Sequence, residues 1–395
     1  MRTFDRLVVV GASLAGLRAA QTLRDEGHTG DLTLIGAEPH LPYNRPPLSK
    51  SVLTGDDDVT LSGNDELDAR WLIGRNAVGL DTSRQVVTLD DGTQVPYDGL
   101  VITTGARPCR LDDSAMSLAG VHLLRTFDDA MNLRNALREG PRRVAVIGGG
   151  IIGGEVSSTI RALGIEVVLI DAAPAPMVGP LGETVAGWLA EHHARNGVEL
   201  VSGARVESLE GRGQVSAVRL NDGRSISADL VIVGLGVLPN TEWLDGSGLH
   251  LDDGVVTDSA LFAGGRANIV AAGDVARWPH AVFDDEYVRI EHWTNANEQG
   301  ALAARNLLRG PRDAEPFTEV HTLGTRVHGT RIQWAGLPRI ADEIVAIAGS
   351  AEEGKFSIGF GRSGRLVGAV AVNWPKELFR LRRAIAAREL LSAGA

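Results

Sequence analysis

Two glycine loops are the residues whose spacing most plainly serves chemistry in this chain. The first reads Gly11-Ala-Ser13-Leu-Ala15-Gly16 and the second Gly148-Gly-Gly150-Ile-Ile-Gly153. Each follows a short apolar run and opens a stretch of helical periodicity. Each is answered by an acid after the next apolar run: Glu38 after residues 32–35, Asp171 after residues 167–170. Glycines let the backbone turn tightly and approach a pyrophosphate, and the following helix N-terminus meets its negative charge. The acid accepts hydrogen bonds from a ribose hydroxyl. One such loop also describes a turn that only packs a helix on a sheet. Two, each inside a strand–turn–helix–strand unit, predict two bound dinucleotides, most economically a flavin and a nicotinamide. Asp171 would also repel a 2′-phosphate, and no arginine follows it through Met177. That favours NADH over NADPH.

The elements that must hold these loops can be followed along the chain. A length of 395 residues exceeds one ordinary domain. Strands are expected at residues 7–10, 32–35 and 99–103, and again at 144–147, 167–170 and 230–234, the last followed by Gly236. A strand over 268–273 returns to the first unit. Beyond Pro316 the pattern turns β-rich, at 331–335, 343–348, 356–360 and 366–372, and a helix closes the chain over 375–391. The reading is an α/β fold with two Rossmann-like dinucleotide-binding domains of the glutathione-reductase type plus a C-terminal α+β domain. Residues 1–110 and 238–315 form the first domain, 111–237 the second and 316–395 the third.

Composition narrows the function. A net charge of −11 and a pI near 5.4 speak against general affinity for nucleic acid or anionic membranes. No apolar run approaches the roughly 20 residues needed to span a bilayer. The first strand begins almost at Met1, leaving no room for a signal peptide, so a cytoplasmic location is expected. No metal site is expected. The single cysteine, Cys109, follows the turn after the strand at 99–103 and is read as an inert thiol. Thiol chemistry beside a flavin needs a cysteine pair or a redox cysteine near the flavin, and Cys109 is distant in sequence from the flavin-facing loop, so a mechanism through thiols is not expected.

At residues 34–50 (LIGAEPHLPYNRPPLSK), 144–155 (VAVIGGGIIGGE), 271–276 (AAGDVA) and 291–300 (EHWTNANEQG) the chain resembles the FAD-dependent, NADH-linked ferredoxin reductases. This group includes putidaredoxin and rhodocoxin reductases and the reductase components of dioxygenases. The resemblance covers nearly the whole length. It implies an FAD domain, an NAD domain and a C-terminal domain that helps dock the electron acceptor, with FAD and NADH as cofactors. The implied partner is a [2Fe-2S] ferredoxin, and the chain is a monomer or weak dimer.

By the same resemblance Glu38 holds the adenosine ribose of FAD. Arg45 and Lys50 lie along the pyrophosphate and isoalloxazine, Arg125 lies near FAD, and Asp274 bonds the ribitol. Glu291, His292 and Trp293 stand beside the flavin ring, Ala77 is a further FAD contact, and Gly234 and Gly236 border the nicotinamide nucleotide. Glu155 pairs with Lys50 on the nicotinamide side. An ammonium at the flavin edge favours the negative charge that develops there, and a neighbouring carboxylate keeps the site near neutral. From residue type alone, Lys50 reads equally as a solvated loop lysine, and Glu155 as a glutamate favoured by the helix dipole.

Two departures stand out. Ser13 replaces the usual middle glycine of the first loop, where its hydroxyl can still face a phosphate. In the C-terminal domain an aromatic-Trp-Ser-Asp-Gln-Tyr stretch becomes Leu323-Gly324-Thr325-Arg326-Val327-His328. The change bears on the electron acceptor. Rival readings are an NADH oxidase or quinone reductase, and a redox-sensing flavoprotein like the apoptosis-inducing factors.

Overall fold

The structure, a computed structural model, describes residues 2–392 apart from 57, 65 and 66. They pack as two compact units. One comprises Met1–Asn44, Val59–Arg107 and Leu238–Glu319; the other comprises Arg45–Asp58, Pro108–Val237 and Val320–Ala395.

The first unit is built on a five-stranded sheet in the order Ile269–Ala271, Gly99–Ile102, Arg6–Val10, Asp31–Gly36, Arg70–Ile73. Every pairing is parallel, with Leu7 opposite both Leu32 and Gly99. Such a sheet is covered on both faces, which is why its strands read as unbroken Val, Leu and Ile runs. Two helices, Leu14–Asp25 and Trp293–Arg309, cross at close range. A Cβ on Gly300 would stand 2.4 Å from the Ala15 carbonyl oxygen, so only glycine permits this approach. A three-stranded antiparallel sheet, Ala77–Asp81, Val86–Leu89 and Gln94–Pro96, is inserted before the Gly99–Ile102 strand.

The second unit repeats this plan. Its parallel sheet runs Val198–Ser202, Glu166–Asp171, Arg143–Ile147, Leu230–Val233, Val121–His122, with Val144 opposite both Val167 and Leu230. Again a three-stranded antiparallel insertion, from Val206 to Ser227, precedes the strand that returns to the sheet.

The unit also holds a five-stranded antiparallel sheet in the order Thr322–Val327, Thr330–Gly336, Arg365–Val372, Lys355–Arg362, Glu343–Ser350. The strands Lys355–Arg362 and Arg365–Val372 are buried along almost their whole length. One face packs on Met177, Leu181, Val185 and Leu189, in and just before the Val178–Arg195 segment. The helix Pro375–Ala386 packs along the Arg365–Val372 and Thr330–Gly336 strands.

Two local features depart from the sequence reading. The closing helix stops at Ala386 rather than 391, because Arg388 turns into the left-handed region (φ +57°) and Leu390 pairs back onto Arg365. The altered stretch at 323–328 falls on a strand, Thr322–Val327, and on the His328-Gly329 turn through which that strand pairs. His328 takes φ +47° there.

Candidate active site

In both parallel sheets the chemistry-bearing residues collect at the carboxyl ends of the strands, where such folds bind ligands. In the first unit Gly11 follows the Arg6–Val10 strand, Glu38 follows Asp31–Gly36, and Asp274 follows Ile269–Ala271. Gly11 has φ +114°, and a Cβ there would lie 2.1 Å from the Thr103 oxygen; one on Gly16 would lie 2.1 Å from the Gly11 oxygen. Ser13 is the N-cap of the Leu14–Asp25 helix but makes no capping bond through its side chain. The first amides of that helix, which have no partners within it, therefore face the loop. Glu38 accepts the Tyr43 hydroxyl at 2.5 Å, which sets the carboxylate's direction.

The second loop has the same geometry. Gly148 has φ +105°, and a Cβ there would lie 2.2 Å from the Gly234 oxygen; one on Gly153 would lie 1.9 Å from the Gly148 oxygen. A Cβ on Gly150 meets nothing within 4 Å, so the helix start opens onto free space, as an approaching phosphate requires. Asp171 is fixed by the backbone: Gly149 N–H donates to Oδ2 at 2.8 Å and Ala173 N–H to Oδ1 at 2.9 Å. Gly236 follows the Leu230–Val233 strand with φ +91°. Both loops therefore fit a dinucleotide by backbone geometry.

Lys50 and Glu155 meet. Pro46 and Pro47 hold a short 3-10 turn that delivers Ser49 and Lys50, and Glu155 lies on the helix Ile151–Ala162. Lys50 Nζ donates to Glu155 Oε2 at 2.5 Å, and Ser49 Oγ donates to the same oxygen at 2.5 Å. Thr325 Oγ1 donates to Oε1 at 2.7 Å. The carboxylate is buried (4% exposed), whereas the Lys50 side chain is 35% exposed. A buried charge needs partners, and this one has three donors. The resulting group offers an accessible ammonium whose counter-charge is shielded.

The other expected residues have defined places. Arg45 donates to the Arg125 carbonyl at 2.7 Å, and Arg125 leads into the Phe127–Arg138 helix with its Thr126 capping box. Trp293 opens the Trp293–Arg309 helix, 39% exposed, its indole N–H on Asn44 Oδ1 at 3.1 Å. His292 caps that helix, and Glu291 pairs with Arg289 at 2.6 Å. Ala77 packs against the first unit's core.

Sequence reading did not single out Ser49, Tyr43 or Gly149, although all three sit inside the quoted motifs. It missed the role of Thr325 as well. Nor did it mark the histidines beside the second loop. His193 is fully buried, and its Nδ1 lies 3.1 Å from His328 Nε2. Burial, and then repulsion from the neighbouring histidines, lowers His193 to about 3; burial lowers His328 to about 4.

Comparison with known proteins fits this geometry. Residues 5–300 match the family model described as pyridine nucleotide-disulphide oxidoreductase, and residues 325–395 match the family model described as reductase C-terminal. The chain belongs to the ferredoxin reductases of this family. It is 33% identical to the biphenyl dioxygenase system ferredoxin–NAD(+) reductase component of Paraburkholderia xenovorans, over 98% of this chain and 95% of that protein. It is 34% identical to rhodocoxin reductase of Rhodococcus erythropolis, over 96% and 89%. Among solved structures it superposes on putidaredoxin reductase in its covalent complex with putidaredoxin. There the TM-score is 0.92 and the identity 30%, covering 98% of this chain and 94% of that one. As a family member it is a mixed α/β oxidoreductase that uses FAD and NADH. Among the described residues no helix is long and apolar enough to cross a membrane. The family model's name refers to a disulphide, but the reductase has one cysteine, Cys109, so no intrachain redox disulphide can form.

Proposed function

We propose that the chain oxidises NADH and delivers the electrons one at a time to a [2Fe-2S] ferredoxin that serves a monooxygenase or dioxygenase, in the cytoplasm. FAD, when bound, supplies the ability to take electrons in pairs and release them singly. Gly11, Ser13, Ala15, Gly16 and Glu38 hold its adenosine diphosphate part, with Asp274, Glu291, His292, Trp293 and Ala77 as further contacts. Arg45 and Arg125 supply positive charge to it. Gly148, Gly150, Gly153, Gly234 and Gly236 receive NADH, and Asp171 selects it by accepting ribose hydroxyls.

The observation that carries this reading is the Lys50–Glu155 contact at 2.5 Å in a chain with one cysteine. An ammonium held against a buried carboxylate suits charge development at a redox cofactor, and no thiol pair competes for the role. Ferredoxins are acidic as a class, so docking draws on local charge. Residues 320–395 carry eleven Lys and Arg against six Asp and Glu, although the whole chain has a net charge of −11.

The purified flavoprotein should reduce cytochrome c rapidly only when a ferredoxin is added. Equal NADH consumption with oxygen or a quinone, and none with ferredoxins, would favour the oxidase reading, for which Gly324 and Arg326 are the motivating departures.

A further inference from the structure

Thr325 is out of place for a residue of its position. On the Thr322–Val327 strand, residues 323, 325 and 327 share the face that looks into the core; Leu323 and Val327 join the apolar cluster there. Between them stands a hydroxyl, 5% exposed. A buried hydroxyl in an apolar row is costly unless it is bonded, and this one donates to Glu155 Oε1 at 2.7 Å. Glu155 Oε2 takes Ser49 and Lys50, so the three donors divide between the two oxygens. Ser49 is itself tied down, because Thr159 Oγ1 donates to its carbonyl at 2.8 Å. Thr325 is the donor that comes from the C-terminal sheet, 170 residues away along the chain.

We propose that Thr325 is a positioning residue: its hydroxyl holds the Glu155 carboxylate in the rotamer that keeps Oε2 on Lys50. The C-terminal domain thereby takes part in electron entry from NADH as well as in electron exit. A carboxylate bonded at one oxygen only can swing about its terminal torsion, which is broad and nearly unrestrained. A charge-assisted bond to the second oxygen removes that freedom. The β-branched side chain suits the strand, and its hydroxyl meets the acid. This role rests on the functional reading above only for its consequence; the contact itself does not depend on that reading.

The chain has three lysines, Lys50, Lys355 and Lys376, so competitive acetylation of the intact flavoprotein followed by mass spectrometry reports on Lys50 with two internal references. Thr325→Val removes the hydroxyl and keeps the shape. It should raise labelling of Lys50 relative to Lys355 and Lys376 several-fold and slow bleaching of the flavin by NADH roughly tenfold in single turnover. FAD content and melting temperature should stay near parental values. Thr325→Ser should restore both quantities. In a Glu155→Gln background Thr325→Val should add nothing to either.

Parental labelling and rate in Thr325→Val, or a Ser variant as impaired as the Val variant, would overturn the proposal. So would an equal effect in the Glu155→Gln background. If Thr325→Val does not fold, the Ser variant and Thr325→Ala carry the same comparison. A parent protein that NADH does not bleach would sink the functional reading instead, and the labelling ratio would then decide the role of Thr325 alone.

Discussion

The Lys50 ammonium stands 2.5 Å from Glu155 Oε2, and that oxygen also accepts the Ser49 hydroxyl at 2.5 Å. The acid is buried and the base is partly open to solvent. The pair therefore presents positive charge outward and keeps its counter-charge inside. Lys50→Met should leave FAD bound and slow single-turnover bleaching by NADH on the order of 10²-fold, the size typical of losing one preorganised electrostatic contact. An unchanged rate at full FAD occupancy would return Lys50 to the role of a loop residue.

Asp171 meets two backbone N–H groups as well as any ribose it holds. Asp171→Asn keeps one acceptor oxygen and sets an NH2 against the other backbone donor, so it should narrow the preference for NADH over NADPH and lower stability by on the order of 1 kcal/mol. Asp171→Ala should narrow it too, and should also cost about 1–3 kcal/mol of stability by leaving two backbone donors unmet. Steady-state kcat/KM with both nucleotides, beside thermal melting, checks both. Equal rates with NADH and NADPH in the parent would remove Asp171 as the selector.

Glycines of the second loop divide into two kinds. A Cβ on Gly153 would stand 1.9 Å from the Gly148 oxygen, so Gly153→Ala should destabilise the second unit by several kcal/mol or abolish expression. Gly150 has open space around its Cβ position. Gly150→Ala should melt at or above the parental temperature and yet raise the KM for NADH, because the methyl occupies space the pyrophosphate needs. An unchanged KM would show that the nucleotide does not approach Gly150.

Acid lability should come from the histidines. His193 is held to about 3 and His328 to about 4, both below their ordinary value of 6.5. Between pH 6.5 and these values the unfolded chain binds protons that the folded chain refuses. Stability should therefore be flat above about pH 7 and fall as pH drops, by up to about 1.4 kcal/mol per pH unit for each group. His193→Gln should flatten that slope by close to one proton. Urea midpoints measured from pH 7.5 to 4.5 test this, and an identical slope in the variant would refute it.

Arg326 and Arg331 face each other across the Thr322–Val327 and Thr330–Gly336 strands. Both are exposed, and none of the ion pairs among the described residues engages them. Like charges directly opposite cost stability, so a partner that neutralises them is favoured. Arg309, at the end of the Trp293–Arg309 helix, is by contrast tied to Glu315 at 2.5 Å. Arg326→Glu should thus weaken apparent ferredoxin affinity and flatten its salt dependence more than Arg309→Glu does, while NADH–ferricyanide activity stays parental. Parental ferredoxin kinetics in Arg326→Glu at every salt concentration would place the docking surface elsewhere.

What depends on local backbone chemistry is legible in the residues alone. Gly11, Gly16, Gly148 and Gly153 sit where φ is positive or where backbone meets backbone, and no other residue type satisfies those places. The parallel strands were legible because burial on both faces writes unbroken apolar runs. What depends on residues far apart emerges only in the assembled fold. Thr325 is one residue of an altered stretch until the fold sets it on Glu155, and His193 carries no signal until His328 stands beside it. The boundaries of packing were decided there too: residues 45–58 pack with the second unit although they are continuous with the first glycine loop's strand and helix. Neither propensity nor periodicity encodes such partners, because a buried polar group is specified by what reaches it across the fold, and that is fixed only when the sheets and helices are assembled.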